Sequence, residues 1–135
     1  FDGAVSVNPN GVMGWGAAIF KEGKLLKETH GGLREQDGNT NNVAEYNGLL
    51  ALLVLIENNE INDIMVYGDS NMVIRQVKGI GKIKKGSYTS IAAIVLRKVR
   101  EMKERGINIK FKWIPREENT YADILSKRYL QSIPL

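Results

Sequence analysis

The sequence contains no cysteine. This excludes a disulfide framework, a thiolate nucleophile and a Cys-based zinc site, and it suits a reducing compartment. No apolar run approaches the roughly 20 residues that cross a bilayer, and no charged-then-apolar signal segment opens the chain. The expectation is a soluble, cytoplasmic protein with no membrane association. Internal repeats, linkers and low-complexity stretches are also missing. The only histidine is His30, which falls on an expected strand and reads as structural.

One absence is local. Between Asn71 and Arg100 there is no Asp or Glu, while Arg75, Lys78, Lys82, Lys84, Lys85, Arg97, Lys98 and Arg100 supply eight of the nineteen basic residues. Nine of the fifteen acids lie between Glu22 and Asp69, so the net charge of +4 is unevenly spread. A polyanion would meet the second half preferentially.

A chain of 135 residues is expected to form one domain over residues 1–135. At that length it can withdraw roughly two-thirds of its extended surface from water and hold a core without staples. Residues 1–7 read as a strand, Trp15–Phe20 as a second and Lys24–Thr29 as a third, joined by turns at Asn8-Pro9-Asn10-Gly11 and Glu22-Gly23. Because Asp2 stands at the very start of its strand, a few residues are expected upstream of Phe1. Polar, glycine-containing residues 31–42 read as a loop.

Residues 43–56 read as a helix, with Leu49, Leu52, Leu53 and Ile56 at core spacing and Glu45 on the same face. An acid aligned with a leucine stripe is unusual, although a Glu in a first helical turn is favourable in itself. The strand of residues 61–67 ends on Gly68-Asp69-Ser70, and a short helix follows over 70–77. Gly79, Gly81 and Gly86 bracket a basic loop. A long helix over 87–105 shows Ile91, Ile94, Val95, Lys98 and Met102 on one side, with Gly106 as its cap. Strict alternation places Ile107, Ile109, Phe111 and Trp113 on one face of a strand that Pro115 stops. The last helix spans 121–130, with Pro134 beyond it.

Four acids share a pattern. Asp2 and Asp69 lie at the ends of strands, and Glu45 and Asp123 lie in first turns of helices. Brought together by the fold, they would repel one another unless cations neutralised them, and an all-oxygen site without His or Cys fits Mg²⁺ or Mn²⁺. Spacing alone leaves other groupings of the fifteen acids open.

The surrounding phrases narrow the choice. Phe1-Asp2-Gly3-Ala4 with Asn8-Pro9 and Gly14-Trp15-Gly16, Thr40-Asn41-Asn42-Val43-Ala44-Glu45, Tyr67-Gly68-Asp69-Ser70 and Asn119-Thr120-Tyr121-Ala122-Asp123 resemble, in order and spacing, the type 1 ribonucleases H. The resemblance covers essentially the whole chain. It implies an α/β fold with a five-stranded mixed sheet, the first three strands antiparallel, and helices on both faces. It implies that Asp2, Glu45, Asp69 and Asp123 are catalytic and hold two Mg²⁺ or Mn²⁺ ions, cutting the RNA strand of an RNA–DNA hybrid to 5′-phosphate and 3′-hydroxyl ends. Asn8, Thr40, Asn41, Asn42 and Asn71 match positions that touch the hybrid backbone, Arg75 and Lys78 are further substrate-binding candidates, and the basic loop and the long helix would meet the phosphates of the DNA strand. Tyr88 or Trp15 would be available to stack on sugar. No obligate protein partner is expected.

Two departures bring the chain nearer to archaeal-type members of the family. Only residues 79–86 occupy the place of a long basic protrusion, and the loop before Asp123 has Arg116 where many bacterial members carry a histidine. Guanidinium stays protonated, so Arg116 can hold a phosphate but cannot act as a base. A non-catalytic nucleic-acid-binding module and another nuclease of the same superfamily, resolvase-like or 3′-exonucleolytic, are the alternatives. Retention of all four acids disfavours the first, and Thr40-Asn41-Asn42, suited to the RNA 2′-hydroxyl, disfavours the second.

Overall fold

The computed structural model describes residues 1–132; Pro134 lies outside them. Strands β1 (Asp2–Val5), β2 (Met13–Lys21) and β3 (Lys24–Leu33) form an antiparallel sheet in that order. Helix α1 (Asn41–Asn58) leads to β4 (Asp63–Gly68), followed by α2 (Asn71–Val77), α3 (Thr89–Glu104) and β5 (Asn108–Trp113). A single 3₁₀ turn at Arg116–Glu118 precedes α4 (Thr120–Ser132). β4 and β5 pair in parallel, and the Phe1 backbone nitrogen donates to Tyr67 O at 3.0 Å, stitching β1 to β4. The five expected strands are therefore present in mixed order, with the ladder bonds divided between a three-stranded and a two-stranded part.

β3 runs four residues further than its sequence suggested. Gly31 and Gly32 pair with Trp15 and Gly14, and the rings of Trp15 and Tyr129 occupy the space that side chains would fill. Glycine here marks close approach to neighbours rather than the start of a loop. α1 also begins earlier, because Thr40 caps it: Thr40 Oγ1 accepts from Val43 N at 3.3 Å.

What seats the helices is the absence of side chains at particular strand and helix positions. A Cβ on Gly3 would lie 2.1 Å from Ala44 C, and one on Gly48 would lie 2.5 Å from Asp2 O, so α1 rests backbone to backbone on β1. Gly14 and Gly16 do the same for α4, where a Cβ would meet Ser126 O at 2.1 Å and Leu125 Cβ at 2.4 Å. Asp2 pairs with Gly16 and Gly3 with Trp15, so Gly3 and Gly16 face opposite sides of the sheet. The helices accordingly lie on both faces.

The core joins Ala17 and Ile19 of β2, Leu49, Leu53 and Ile56 of α1, Val66 of β4, Ile74 of α2 and Ile109 and Phe111 of β5. α3 contributes Ala92, Val95, Val99 and Met102. This face is rotated from the expected one: Ile94 is exposed, and Lys98 reaches out to pair with Glu57. Cations at the margin of a buried stripe keep their charge in water while their stems cover apolar surface, which blurs the stripe in sequence.

Replacing Gly48 by Ala should destabilise the fold by about 1–3 kcal/mol, the usual cost of forcing extra volume into a packed interface. Urea unfolding checks this, with Gly23→Ala in the exposed β2–β3 turn as a contrast, where a Cβ meets nothing within 4 Å and only the positive φ of +79° is strained.

Candidate active site

The first residue of β1, Asp2, is buried, and Gly3 N donates to its Oδ1 at 2.9 Å. Glu45 comes from α1. Because that helix starts at Asn41, Glu45 stands in its second turn rather than its first, and no acid occupies the first turn. A favourable interaction with the helix N-terminus therefore does not account for it. It lies on the buried face with Leu49 and Leu52, where the close seating of α1 on β1 carries it to Asp2, and its Oε1 accepts from Gly3 N at 3.4 Å.

Asp69 follows the last residue of β4 directly. Trp113 Nε1 donates to its carbonyl oxygen at 3.1 Å, Asn119 Nδ2 donates to its Oδ2 at 3.1 Å, and the next residue, Ser70, caps α2. Trp113, expected on the core face of β5, is instead exposed, because its indole N–H is engaged at the rim by Asp69. Asn119 is buried and also donates to Phe1 O at 2.8 Å, so one amide ties β1, β4 and the α4 entry together.

Carboxylate oxygens of Asp2, Glu45 and Asp69 lie within 4.8 Å of one another. Burial, reinforced by the Asp69 charge, pushes the Asp2 carboxyl up to about 6. Glu45 is raised well above the ordinary carboxylate range, first by burial and then by Asp2 and Asp69. Glu45 Oε2 is buried with no hydrogen-bond partner. An orphaned acceptor among crowded carboxylates is costly unless a cation supplies the missing charge. The donor set is oxygen only, which fits a hard divalent ion.

Asp123, in the first turn of α4, lines the same cavity of about 580 Å³. Its Oδ2 accepts from Lys127 Nζ at 3.2 Å, and Arg116 approaches Oδ1 at 3.8 Å. Lys127 went unnoticed in the sequence; its i, i+4 spacing from an acid on a helix is the signal that could have found it. Asn119 was visible only as part of a motif, and its bonds to Phe1 and Asp69 span residues too far apart in sequence to be anticipated.

The candidate substrate-contacting residues divide. Asn41, Asn42 and Arg116 line the cavity with the acids. Asn8 is next to them, its Oδ1 accepting from Asn41 N at 3.3 Å, and Thr40 caps the helix below. Asn71, Arg75 and Lys78 are exposed on or just after α2 and do not line the cavity. Tyr88 is buried, so it has no free face for a sugar; His30 is exposed on β3 opposite Gly16, outside the cluster. No helix among the described residues is long and apolar enough to cross a membrane.

The family described as reverse transcriptase-like matches residues 1–129. The bifunctional protein Rv2228c of Mycobacterium tuberculosis is 31% identical over 127 residues, covering 93% of this chain and 33% of the relative. The chain thus spans about a third of the length of the curated relatives it matches. Among solved structures, the N-terminal RNase H domain of that protein, determined as a fusion with maltose binding protein, superposes with a TM-score of 0.83 at 29% identity, covering 97% of this chain and 90% of that one. RNase H1 from the archaeon Halobacterium salinarum gives 0.76 at 25% identity over 98% and 95% of the two chains. LC11-RNase H1, solved in complex with an RNA/DNA hybrid, gives 0.75 at 32% identity over 96% and 95%.

The raised carboxyls set a pH dependence. An acid with a higher pKa folded than unfolded binds more protons in the folded state, so stability falls as pH rises through that window. With chelator present, the melting temperature should drop as pH rises from about 4 to about 6, where Asp2 ionises in the fold. Divalent ion should reverse the drop. Thermal melts across pH, with and without ion, check this, and Asp2→Asn should flatten the chelated profile.

Proposed function

This chain belongs to the reverse transcriptase-like family as a ribonuclease H1-type domain, and from that premise we propose that it hydrolyses the RNA strand of RNA–DNA hybrids, leaving 5′-phosphate and 3′-hydroxyl ends. Asp2, Glu45, Asp69 and Asp123 would hold two divalent ions, Mg²⁺ or Mn²⁺. The observation that carries the reading is the packing of three carboxylates within 4.8 Å, one with a buried unpaired oxygen, beside Asn41 and Asn42.

Bound ions would lower the pKa of the attacking water and neutralise charge at the leaving oxygen of an in-line displacement. The chain's own residues supply the rest. Asp2, whose carboxyl is influenced by Glu45, Asp69 and Asp123 alike, would be the shared ligand. Asn119 holds Asp69 in place through its amide, so the carboxylate does not have to be ordered when substrate arrives. Arg116 and Lys127 face the cavity as cations and can take phosphate oxygens, Arg116 through its planar fork.

Recognition of RNA falls to the α1 N-terminus. Asn41 and Asn42 are exposed there, with Asn8 and Thr40 supporting them, and amides of this kind reach 2′-hydroxyl groups across a shallow minor groove without reading bases. Asn71 at the start of α2, Arg75 further along it and Lys78 just after it would extend the contact along the hybrid backbone. Because none of the three lines the cavity with the acids, a backbone-positioning role suits them better than a chemical one.

The test uses labelled RNA–DNA hybrid, single-stranded RNA and duplex DNA, each incubated with Mg²⁺ or Mn²⁺. Cutting confined to the RNA of the hybrid, abolished by chelator, is expected. Losing an outer-shell partner of a metal site typically costs 10–100-fold, so removing a direct ligand by Asp69→Asn should cost on the order of 10²-fold or more in rate. Salt-sensitive hybrid binding with no turnover in either ion would replace this reading with a binding module, and cutting that survived Asp69→Asn would defeat the mechanism.

A further inference from the structure

A buried polar group sits where the hydrophobic pattern of α2 calls for an apolar one. Gln76 lies between Ile74 and Val77 on the covered face of the helix and is only 4% exposed. Its amide is almost fully used. Oε1 accepts from Tyr46 OH, and Nε2 donates to Lys82 O at 3.0 Å and to Tyr88 OH at 3.3 Å. Tyr88 OH in turn accepts from Lys84 N at 3.0 Å, and the Tyr46 and Tyr88 rings stack with centroids 6.0 Å apart. Both tyrosines are buried.

Two of these bonds end on the backbone of the basic loop, one at Lys82 and one at Lys84. Between them, Ile83 turns inward onto the core, while Lys82, Lys84 and Lys85 are left exposed. The far end of the loop is closed by Thr89, whose Oγ1 accepts from Gly86 N at 2.8 Å and donates to Lys84 O at 3.1 Å. Ser87 Oγ then meets Thr40 Oγ1 at 3.2 Å, so the loop ends against the cap of the helix that carries Asn41, Asn42 and Glu45. Tyr46 reaches the node from that same helix.

Left to itself, a segment with Gly79, Gly81, Gly86 and three lysines would be mobile and self-repelling, and binding a polyanion would have to order it. The buried node removes that cost in advance. We propose that Tyr46, Gln76 and Tyr88 are positioning residues: they hold the Lys82–Lys85 loop as a preformed cationic arm, registered against the α1 N-terminus, so that phosphates of a bound nucleic acid meet it while the acids meet the scissile bond. This inference rests on the hybrid-nuclease reading and adds how a short loop grips substrate.

The node acts on binding more than on chemistry, and the test separates the two. Tyr88→Phe keeps the stacked ring and removes the hydroxyl; Gln76→Leu removes all three bonds. Steady-state cleavage of hybrid should show KM raised roughly tenfold, with the smaller part of the effect in kcat. Anisotropy of labelled hybrid on protein carrying Asp69→Asn should show the slope of log affinity against log salt reduced by roughly two to three, as phosphate contacts are lost. Lys82→Ala, Lys84→Ala and Lys85→Ala combined should reproduce the KM change, and adding Tyr88→Phe should then contribute less than about twofold. The inference is overturned if Tyr88→Phe and Gln76→Leu lower the melting temperature but leave KM and the salt slope at wild-type values, or if their effects add fully to those of the lysine substitutions. Should Gln76→Leu not fold, Tyr88→Phe and the surface lysine variants decide the question. Wild-type protein that neither binds nor cuts hybrid overturns the functional reading together with this inference; wild-type protein that cuts hybrid, with variants of unchanged KM, overturns this inference alone.

Discussion

The backbone-to-backbone seating of α1 on β1 is the constraint on which the rest depends. Asp2 and Glu45 come from a strand and a helix that an ordinary side-chain interface would hold near 10 Å apart, as for packed layers in general. Glycine at positions 3 and 48 removes that spacer. The same device at Gly14 and Gly16 lays α4 against β2 and brings Asp123 to the cavity from the opposite face. Helix seating and site assembly are therefore one problem solved by the same small residues, and a site built this way sits on rigid elements rather than on loops.

Crowding acids has a cost that the surroundings only partly offset. Gly3 N is shared between one oxygen of Asp2 and one of Glu45, the Asn119 amide serves one of Asp69, and Arg116 and Lys127 flank Asp123, but Glu45 Oε2 has nothing. The frustration is concentrated at the three acids that would coordinate a cation. Elsewhere among the described residues, buried polar side chains are paired: Asn39 donates to Gly11 O and Arg34 O, and Gln76 to Lys82 O and Tyr88 OH. Contrast between a satisfied interior and one unsatisfied corner is what distinguishes a binding site from a packing defect.

Much of this was legible along the chain. Strand alternation, the leucine stripe of α1 and the turn at Glu22-Gly23 are local effects, and they appear where local chemistry places them. Misreadings arose where a neighbour distant in sequence overrode the local signal. Gly31 and Gly32 looked like loop residues because the Trp15 and Tyr129 rings that cover them are far away in sequence. Trp113 looked like core because alternation cannot see that Asp69 O holds its indole at the rim. Ile94 and Lys98 exchanged expectations with Ala92 and Val99 because the face α3 buries is chosen by what packs against it.

For the site, spacing left several groupings of acids open, and it was the resemblance of short, contiguous motifs to the type 1 ribonucleases H that singled out these four as candidates. Their relation was another matter. That Asp2, Glu45 and Asp69 converge within 4.8 Å while Asp123 is drawn toward Lys127 and Arg116, that Asn119 braces Asp69, and that Gln76 reaches the basic loop all depend on the tertiary structure. The sequence by itself determined the chemistry available, since side-chain type and local periodicity are properties of the chain. Only the tertiary structure decided which groups share a low-dielectric space, because burial and distance, which set both the raised carboxyls and the missing partner, exist only once remote segments have packed.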